Sequence, residues 1–439
     1  MKINTSIPIV LLLIILSLAG CGKKESTLQP AAEPVLLARP ELPVALTVKT
    51  SQRFEQRASQ NGPPQDFGKA IALGEGLLAI GAPDMTSGDM GQNGSVFIYR
   101  QQADQWVEET RLYSSDQDDG FQYHQHFGAA LAFSGDMLFV GAPGADDPQA
   151  GDESGAVYVF QDAPGGWQEV AHLTPESPRA KAGFGSLLSS HGDSLAVGEG
   201  YDGTQVHIFQ REAESWKLQA SLTLPVESGA RPGLSSLALY GDTLAVSMTS
   251  MIGEGELAQI YGHLLLYERS GTNWGEPADL FPAESGDCRA AVIEGDGEQA
   301  SRLAFSYIPG TQPGLDNGGV LIYERGASSW EQSASISIPD NGGEGNFYFA
   351  SVGSIALDGD LLVAGMPGVS EDSLWDGVAY IYQYHQGRWV DQLRLTPTED
   401  GGMGDFFGSI VTLHGQNVLI SAPDEFGNAV YVYEIGERE

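Results

Sequence analysis

Short apolar runs, rather than stretches with helical periodicity, follow one another along most of this chain. The clearest unit runs from Phe127 to Leu173 and contains four runs rich in β-branched and aromatic residues, bounded by Gly, Asp and Pro. Such runs between turn residues predict β-strands, and four in succession predict an antiparallel meander. The chain is therefore expected to be all-β.

The same unit repeats seven times. The aromatic residues that end the third strand lie 49 to 61 positions apart: Tyr99, Phe160, Phe209, Tyr267, Tyr323, Tyr382 and Tyr433. A Trp begins the predicted fourth strand in six units: Trp106, Trp167, Trp216, Trp274, Trp330 and Trp389. Because one small sheet cannot bury both faces alone, this period predicts a seven-bladed β-propeller of four-stranded antiparallel blades. We expect the tryptophans to fill the spaces between blades; stacking on carbohydrate is the alternative.

The last unit lacks a fourth strand, because only six residues follow Tyr433. A run at 52–58 precedes the first unit as a fourth strand precedes the other units. Pairing the two ends would remove two exposed edges. We therefore predict that an N-terminal strand completes the last blade and closes a propeller domain spanning 46–439.

The N-terminal segment predicts export and a lipid anchor. Residues 1–20 carry one Lys and an apolar core, as a signal peptide does. The quartet that ends at Cys21, Leu-Ala-Gly-Cys, resembles the bacterial lipobox, which implies cleavage before Cys21 and its acylation with diacylglycerol and a fatty acid such as palmitate. The composition of residues 21–45 predicts a flexible tether. An ordinary secretory signal or an uncleaved anchor is the alternative, although the apolar run is short for a membrane span.

The expected location is therefore the bacterial cell envelope. Gly22 after the lipidated residue favours the outer membrane over the cytoplasmic membrane. The formal net charge of −36 repels phosphate backbones, which argues against nucleic-acid partners. Apart from Cys21 the chain has one cysteine, Cys288, which we expect to be a buried apolar residue of the fifth unit. We expect a monomer.

Two short motifs recur within the units. Phe-Gly opens the first strand and Gly-Ala-Pro ends the second, as in Phe67-Gly68 with Gly81-Ala82-Pro83 and Phe127-Gly128 with Gly141-Ala142-Pro143. Variants of both occur in later units, including Gly198-Glu199-Gly200. These motifs resemble the FG-GAP repeat of integrin α-subunit propellers and of many bacterial surface proteins. The resemblance implies a seven-bladed propeller and, more weakly, adhesion.

Calcium is a candidate cofactor in one unit. Integrin-type blades that bind calcium carry an Asp-rich loop between their first two strands, because a hard cation needs several converging oxygens. Most units here have only a tight turn, which suits hairpin geometry. The fifth unit keeps a longer acidic version with Glu294, Asp296 and Glu298; an ordinary solvated loop is the alternative. No other cofactor is expected.

A second metal hypothesis concerns the connection between the first two units. It contains Asp116, Asp118, Asp119, His124 and His126, and carboxylates with imidazoles can bind a transition metal. Other connections between units are also acidic and rich in Gly. A solvated loop is therefore favoured over a metal site.

Acidic residues also follow the second strands. In a meander, second-to-third and fourth-to-first connections leave the sheet at the same edge, so these acids are expected on one face of the propeller. We call this face the loop face. It is the predicted partner-binding surface, with a solvated rim as the alternative; its acids are Asp84, Asp89, Asp146, Asp147, Asp152, Asp202, Asp316, Asp372, Asp376 and Asp424.

Three functions remain open. The first is a non-catalytic binding or adhesion module that presents the loop face to a protein or glycan. The second is a hydrolase or lyase that uses loop carboxylates such as Asp146 and Asp152 as general acid and base. The third is a structural scaffold of an envelope assembly. The absence of a recognisable catalytic set in the sequence favours the first.

Overall fold

The computed structural model of this protein describes residues 42–56, 66–84, 93–116, 125–201, 204–253, 259–281, 286–297, 299–309, 318–337, 353–368, 377–397, 406–423 and 428–438. Within these ranges the regular elements are all β-strands. The all-β prediction is therefore confirmed.

The first three sheets are four-stranded antiparallel meanders. Sheet 1 contains β2 (Ala70–Gly74), β3 (Leu77–Ala82), β4 (Ser95–Gln102) and β5 (Gln105–Leu112). Sheet 2 contains β6 (Ala130–Ser134), β7 (Met137–Ala142), β8 (Ala156–Ala163) and β9 (Gly166–Leu173). Sheet 3 contains β10 (Phe184–His191), β11 (Ser194–Glu199), β12 (Gln205–Glu212) and β13 (Ser215–Thr223).

The next strands form one nine-stranded sheet composed of two meanders. Sheet 4 contains β14 (Arg231–Tyr240), β15 (Thr243–Ile252), β16 (Gln259–Ser270), β17 (Asn273–Trp274) and β18 (Ala278–Asp279). Sheet 5 contains β19 (Gly286–Asp296), β20 (Gln299–Pro309), β21 (Gly319–Arg325) and β22 (Trp330–Ser337). A single parallel bridge between Tyr261 and Gly286 joins the two meanders.

Sheet 4 departs from the sequence prediction of one continuous fourth strand. The segment that begins at Asn273 forms two short pieces, β17 and β18, which both pair with β16. The intervening residues include Gly275 and Pro277, and a Pro has no N–H to donate to the ladder. The outer strand of this sheet is therefore interrupted.

The remaining strands form two four-stranded sheets. Sheet 6 contains β23 (Ser354–Asp358), β24 (Leu361–Met366), β25 (Val378–His385) and β26 (Arg388–Leu395). Sheet 7 contains β27 (Val411–His414), β28 (Asn417–Ala422), β29 (Asn428–Glu437) and, from the other end of the chain, β1 (Leu46–Gln56).

Strand β1 pairs with β29 in antiparallel register from Leu46 opposite Glu437 to Gln56 opposite Asn428. The strand begins six residues earlier than the predicted run at 52–58. Gln52 also bridges to sheet 1, because its amide nitrogen donates to the carbonyl of Trp106 at 2.8 Å and its amide oxygen accepts the Trp106 N–H at 2.9 Å. The N-terminal strand thus contacts both ends of the repeat array.

The hydrophobic core is divided into clusters that each join two sheets. Clusters connect sheets 1 and 2, 2 and 3, 3 and 4, 4 and 5, 5 and 6, and 6 and 7. A further cluster packs Ile80 and Phe97 of sheet 1 against Leu419 and Val430 of sheet 7. Five of the six repeated Trp residues pack in the cluster shared with the preceding sheet, and Trp106 of sheet 1 packs in the cluster shared with sheet 7, as predicted for a structural role.

The two sequence motifs couple neighbouring sheets. The Gly128 N–H donates to the Gly141 carbonyl of its own sheet at 2.9 Å. A Cβ on Gly141 would lie 2.0 Å from the carbonyl oxygen of Gly185 in sheet 3, and Gly81 faces Gly128 in the same way. The Phe-Gly motif therefore forms a hydrogen bond within its own sheet, and the Gly-Ala-Pro motif allows the next sheet to approach closely.

Candidate functional site

The loop face brings together the connections that the sequence predicted to share an edge. Asp84 follows the second strand of sheet 1, and His126 precedes the first strand of sheet 2; their side chains meet at 2.8 Å. The N–H of Lys181, before sheet 3, donates to the carbonyl of Asp152 at 2.9 Å. The connections between the second and third strands of a sheet are thus held by direct bonds against the connections that lead to the next sheet.

Asp84 belongs to a small acidic group at this edge. Burial raises the pKa of Asp66, and the neighbouring Asp84 carboxylate adds to the increase by repulsion and hydrogen bonding, while Lys69 opposes it. Asp66 and His126 precede the two Phe-Gly motifs and have φ angles of 51° and 54°. Among residues other than Gly, Asp and His are enriched in left-handed backbone, so both positions suit their residue types.

The acids between β7 and β8 order their own loop. Oδ1 of Asp147 accepts the N–H groups of Gln149 and Ala150, both at 2.8 Å. Oδ1 of Asp146 accepts the N–H of Glu153, also at 2.8 Å. This is the local bonding that makes Asp frequent in turns. One oxygen of each carboxylate is therefore engaged in ordering the loop.

The residues of the second metal hypothesis do not converge where the structure describes them. His126 contacts Asp84, whereas Asp116 lies 3.5 Å from Nδ1 of His172, whose ring stacks on Tyr158 with a centroid separation of 4.7 Å. Asp118, Asp119 and His124 lie outside the described ranges. Among the residues that are described, no group of three or more His, Cys, Asp or Glu side chains could hold a metal.

Glu294 connects sheets 5 and 6. Its Oε1 lies 2.8 Å from the Arg302 guanidinium, and its Oε2 accepts the N–H of Gly359 at 2.8 Å. Burial raises the pKa of Glu294, against the opposing effects of Gly359 and Arg302. A calcium ion would have to compete with both donors. Asp296 ends β19, and Glu298 lies outside the described residues, so both hypotheses for this loop, a calcium site and an ordinary solvated loop, stay open.

Other predicted site residues also lie outside the described ranges. They are Cys21, Asp89, Asp202, Asp316, Asp372, Asp376 and Asp424. Cys288 lies in β19, is fully buried as predicted, and burial raises the pKa of its thiol. Within the described part of the chain, no helix has the length and apolar character needed to span a bilayer.

Sequence reasoning missed a buried polar chain in sheet 3. His207 places Nε2 3.1 Å from Oε1 of Glu199 and Nδ1 2.9 Å from Oγ of Ser221. Glu199 is 1% exposed, and its second oxygen pairs with Arg179. Gly198-Glu199-Gly200 stands where other units have Gly-Ala-Pro, so the Ala-to-Glu departure was the available signal.

Comparison with known proteins supports the interpretation of the repeats. The FG-GAP repeat family matches residues 106–160 and 389–433. The first segment runs from β5 of sheet 1 to β8 of sheet 2, and the second from β26 of sheet 6 to β29 of sheet 7. Each therefore crosses from one sheet into the next. The first contains Phe127-Gly128 and Gly141-Ala142-Pro143, and the second contains Phe407-Gly408 and the variant Ser421-Ala422-Pro423. No curated protein matches the chain significantly.

Proposed function

Because the chain is an FG-GAP repeat protein, we propose that it is a lipid-anchored interaction module of the bacterial cell envelope. In this proposal the chain acts by binding rather than by catalysis, and a protein or glycan partner contacts the loop face. FG-GAP repeats suggest a propeller-like interaction module. The anchor and the partner-binding surface are the parts that need direct tests.

The architecture we propose is a closed seven-bladed propeller. The pairing of β1 with β29 supports closure, because it supplies the fourth strand that the last unit lacks. The core cluster shared by sheets 7 and 1 supports it as well, since each other cluster joins consecutive sheets. A closed array leaves no large sheet face exposed.

One observation carries the proposed binding surface: connections from different sheets are bonded into a common acidic edge. The Asp84–His126 contact and the Lys181–Asp152 bond each link a second-to-third connection with the connection to the next sheet. Acids held in place by their neighbours lose less freedom on binding a partner. With a net charge of −36, the surface favours a cationic or neutral partner over an anionic one.

The test is affinity capture from detergent-solubilised envelopes of the source organism. The triple variant Asp146→Asn, Asp147→Asn and Asp152→Asn removes three charges from the loop face. The control triple variant Asp104→Asn, Asp136→Asn and Asp193→Asn removes three charges from hairpin turns at the opposite edge. We expect the first variant to recover less partner than the wild type and the second to recover as much.

Equal recovery by both variants would argue against the loop face. A single partner recovered in stoichiometric amount would support an envelope scaffold instead of a more general binding module. High salt should weaken the interaction if the partner is cationic, because exposed charges are screened.

The lipid anchor is tested separately. The sequence supports a signal peptide at 1–20, lipidation of Cys21 and a tether at 21–45, with the outer membrane as the favoured location. Growth with labelled palmitate should label the wild-type protein, and Cys21→Ala should lose both the label and detergent-dependent extraction. Label retained in Cys21→Ala would contradict the proposed acylation site.

A further inference from the structure

The buried polar chain in sheet 3 ends at the surface. Glu199 and His207 are 1% and 3% exposed, whereas Ser221 of the outer strand β13 is exposed. Ser221 lies opposite His207 in the pairing of β13 with β12, and Glu199 ends the neighbouring strand β11. None of the three is among the acids predicted for the loop face, so an inference about them is independent of the proposed function.

The other sheets have aliphatic or aromatic residues at the two buried positions of this chain. In sheet 2, Ala142 and Tyr158 stand where sheet 3 has Glu199 and His207. The position of Glu199 is elsewhere occupied by Ala82, Ala142, Met248, Tyr307, Met366 and Ala422, and that of His207 by Phe97, Tyr158, Leu265, Leu321, Tyr380 and Tyr431.

Packing of the sheets therefore does not require the polar chain. Burying a carboxylate and an imidazole has a desolvation cost that an apolar pair avoids. Six sheets pack with apolar or aromatic pairs at these positions, and only sheet 3 carries this cost. Departures from a local packing pattern are expected at functional sites. This departure points to its exposed end, Ser221.

The hydrogen bonds of the chain fix which nitrogen of the His207 ring carries the proton. One carboxylate oxygen of Glu199 pairs with the Arg179 guanidinium, and the other accepts the Nε2–H of His207 at 3.1 Å. In the neutral ring, Nδ1 then has a free lone pair and accepts the Ser221 hydroxyl proton at 2.9 Å. The ring also meets Phe184 edge to face, with centroids 5.4 Å apart. Nδ1 is thus held toward the serine oxygen.

We propose that Ser221 is an activated nucleophile that takes the acyl group of a neutral ester. A serine within hydrogen-bond reach of a base, which is itself oriented by a third group, is the arrangement that activates a hydroxyl for attack. His207 is the base, and Glu199 is the residue that positions it. The net charge of −36 disfavours an ester that carries negative charge.

The proposed step is a single acyl transfer. The oxygen of Ser221 forms a bond with the carbonyl carbon of the ester, and the hydroxyl proton passes to Nδ1 of His207. The bond between the carbonyl carbon and the alcohol oxygen then breaks, and His207 returns the proton to the departing alcohol. The acyl group stays on Ser221 as a new ester. One transfer per chain is covalent capture of a ligand rather than turnover.

Sheet 5 contains a matched serine that has no base beside it. Ser335 of β22 is exposed and lies opposite Leu321, in the same register position as Ser221 opposite His207. In both sheets a β-bulge follows the next pair. The two serines therefore share their place in the sheet and their exposure, and they differ in the residue that faces them.

The test treats the full chain, in a detergent without ester groups, with a neutral fluorophosphonate. An attacking serine displaces fluoride from this probe and keeps the phosphonyl group, and peptide mass spectrometry measures the rate at Ser221 and at Ser335 in the same sample. A positioned general base accelerates such an attack by about 10²–10⁴-fold, so we expect Ser221 to be labelled at least about 100 times faster than Ser335. Equal rates, or no label on Ser221, would overturn the proposal.

The double variant Glu199→Ala, His207→Leu tests the base. It restores the residue types found at Ala142 and Leu321, and replacing buried charged groups by apolar residues is often neutral or stabilising, so the unfolding midpoint should not fall. Labelling of Ser221 should drop to the rate of Ser335, and labelling that persists at the wild-type rate would also overturn the proposal. Ser335→Ala should leave labelling of Ser221 unchanged. The ratio of the two rates in the wild type does not depend on how the variant folds.

Discussion

Replacing Gly141 by Ala tests whether the Gly-Ala-Pro motif is a device for packing one sheet on the next. The added Cβ would lie 2.0 Å from the carbonyl oxygen and 3.0 Å from the carbonyl carbon of Gly185. Both atoms belong to the backbone of sheet 3, so neither can rotate away. Relief requires the two sheets to separate by about 1 Å or more at this point, since non-bonded heavy atoms approach optimally at about 3.5 Å.

Overpacking of this kind costs about 1–3 kcal/mol, and contact with rigid backbone places Gly141→Ala near the upper end. Ala also lowers the entropy of the unfolded chain relative to Gly, which offsets about 0.5 kcal/mol of this destabilisation. We therefore expect the free energy of unfolding to fall by about 2 kcal/mol. Gly233→Ala in β14 is the control, because the nearest atom to its added Cβ is 4.0 Å away.

The measurement is urea unfolding of the full chain, followed by tryptophan fluorescence and far-UV circular dichroism. Gly233→Ala should match the wild type or be slightly more stable. Equal stability of Gly141→Ala and Gly233→Ala would refute the packing explanation of the motif. A loss in both variants would indicate a general intolerance of Ala rather than a contact between sheets.

Three further predictions concern titration and metal binding. The Cys288 thiol should not react with a disulfide reagent at about pH 8 in the native protein and should react once urea unfolds it, because burial raises its pKa; fast native reaction would contradict its burial. The free energy of unfolding should be unchanged below pH 10 and should fall as the pH rises through 12. Burial raises the pKa of Tyr267 to about 12 and also raises that of Tyr158, whereas unfolded tyrosines ionise near pH 10. Tyrosinate absorbance that appears near pH 10 while the fold is intact would contradict this. Millimolar calcium should leave the thermal midpoint unchanged, because both oxygens of Glu294 already accept hydrogen bonds; a saturable rise that Asp296→Ala abolishes would instead establish the calcium site.

Much of the fold was predictable because local rules agree with one another along this chain. Turn residues separate apolar runs of strand length, and the incomplete last unit indicated where the N-terminal strand would pair. The split outer strand of sheet 4 was not predicted, although Gly275 and Pro277 were visible. Because Trp274 repeats a position that begins the fourth strand in other units, it suggested a complete strand. Pro277 has no backbone N–H to donate, and the strand is interrupted there.

The candidate sites were harder to predict because they depend on contacts between distant residues. Glu199, His207 and Ser221 meet only through the register of three neighbouring strands, which the composition of any one strand does not reveal. Similarly, no sequence pattern indicated that Asp147 would bond its own loop. That bond depends on the backbone path of the loop.

In the proposed architecture the chain closes on itself through β1. Deleting residues 46–56 removes the strand that pairs with β29 and the Gln52 contacts with Trp106. Differential scanning calorimetry of the full chain and of this deletion tests this closure. Closure predicts that the whole domain loses stability in a single, much lower transition. An unchanged midpoint, or loss confined to a small part of the unfolding enthalpy, would contradict it.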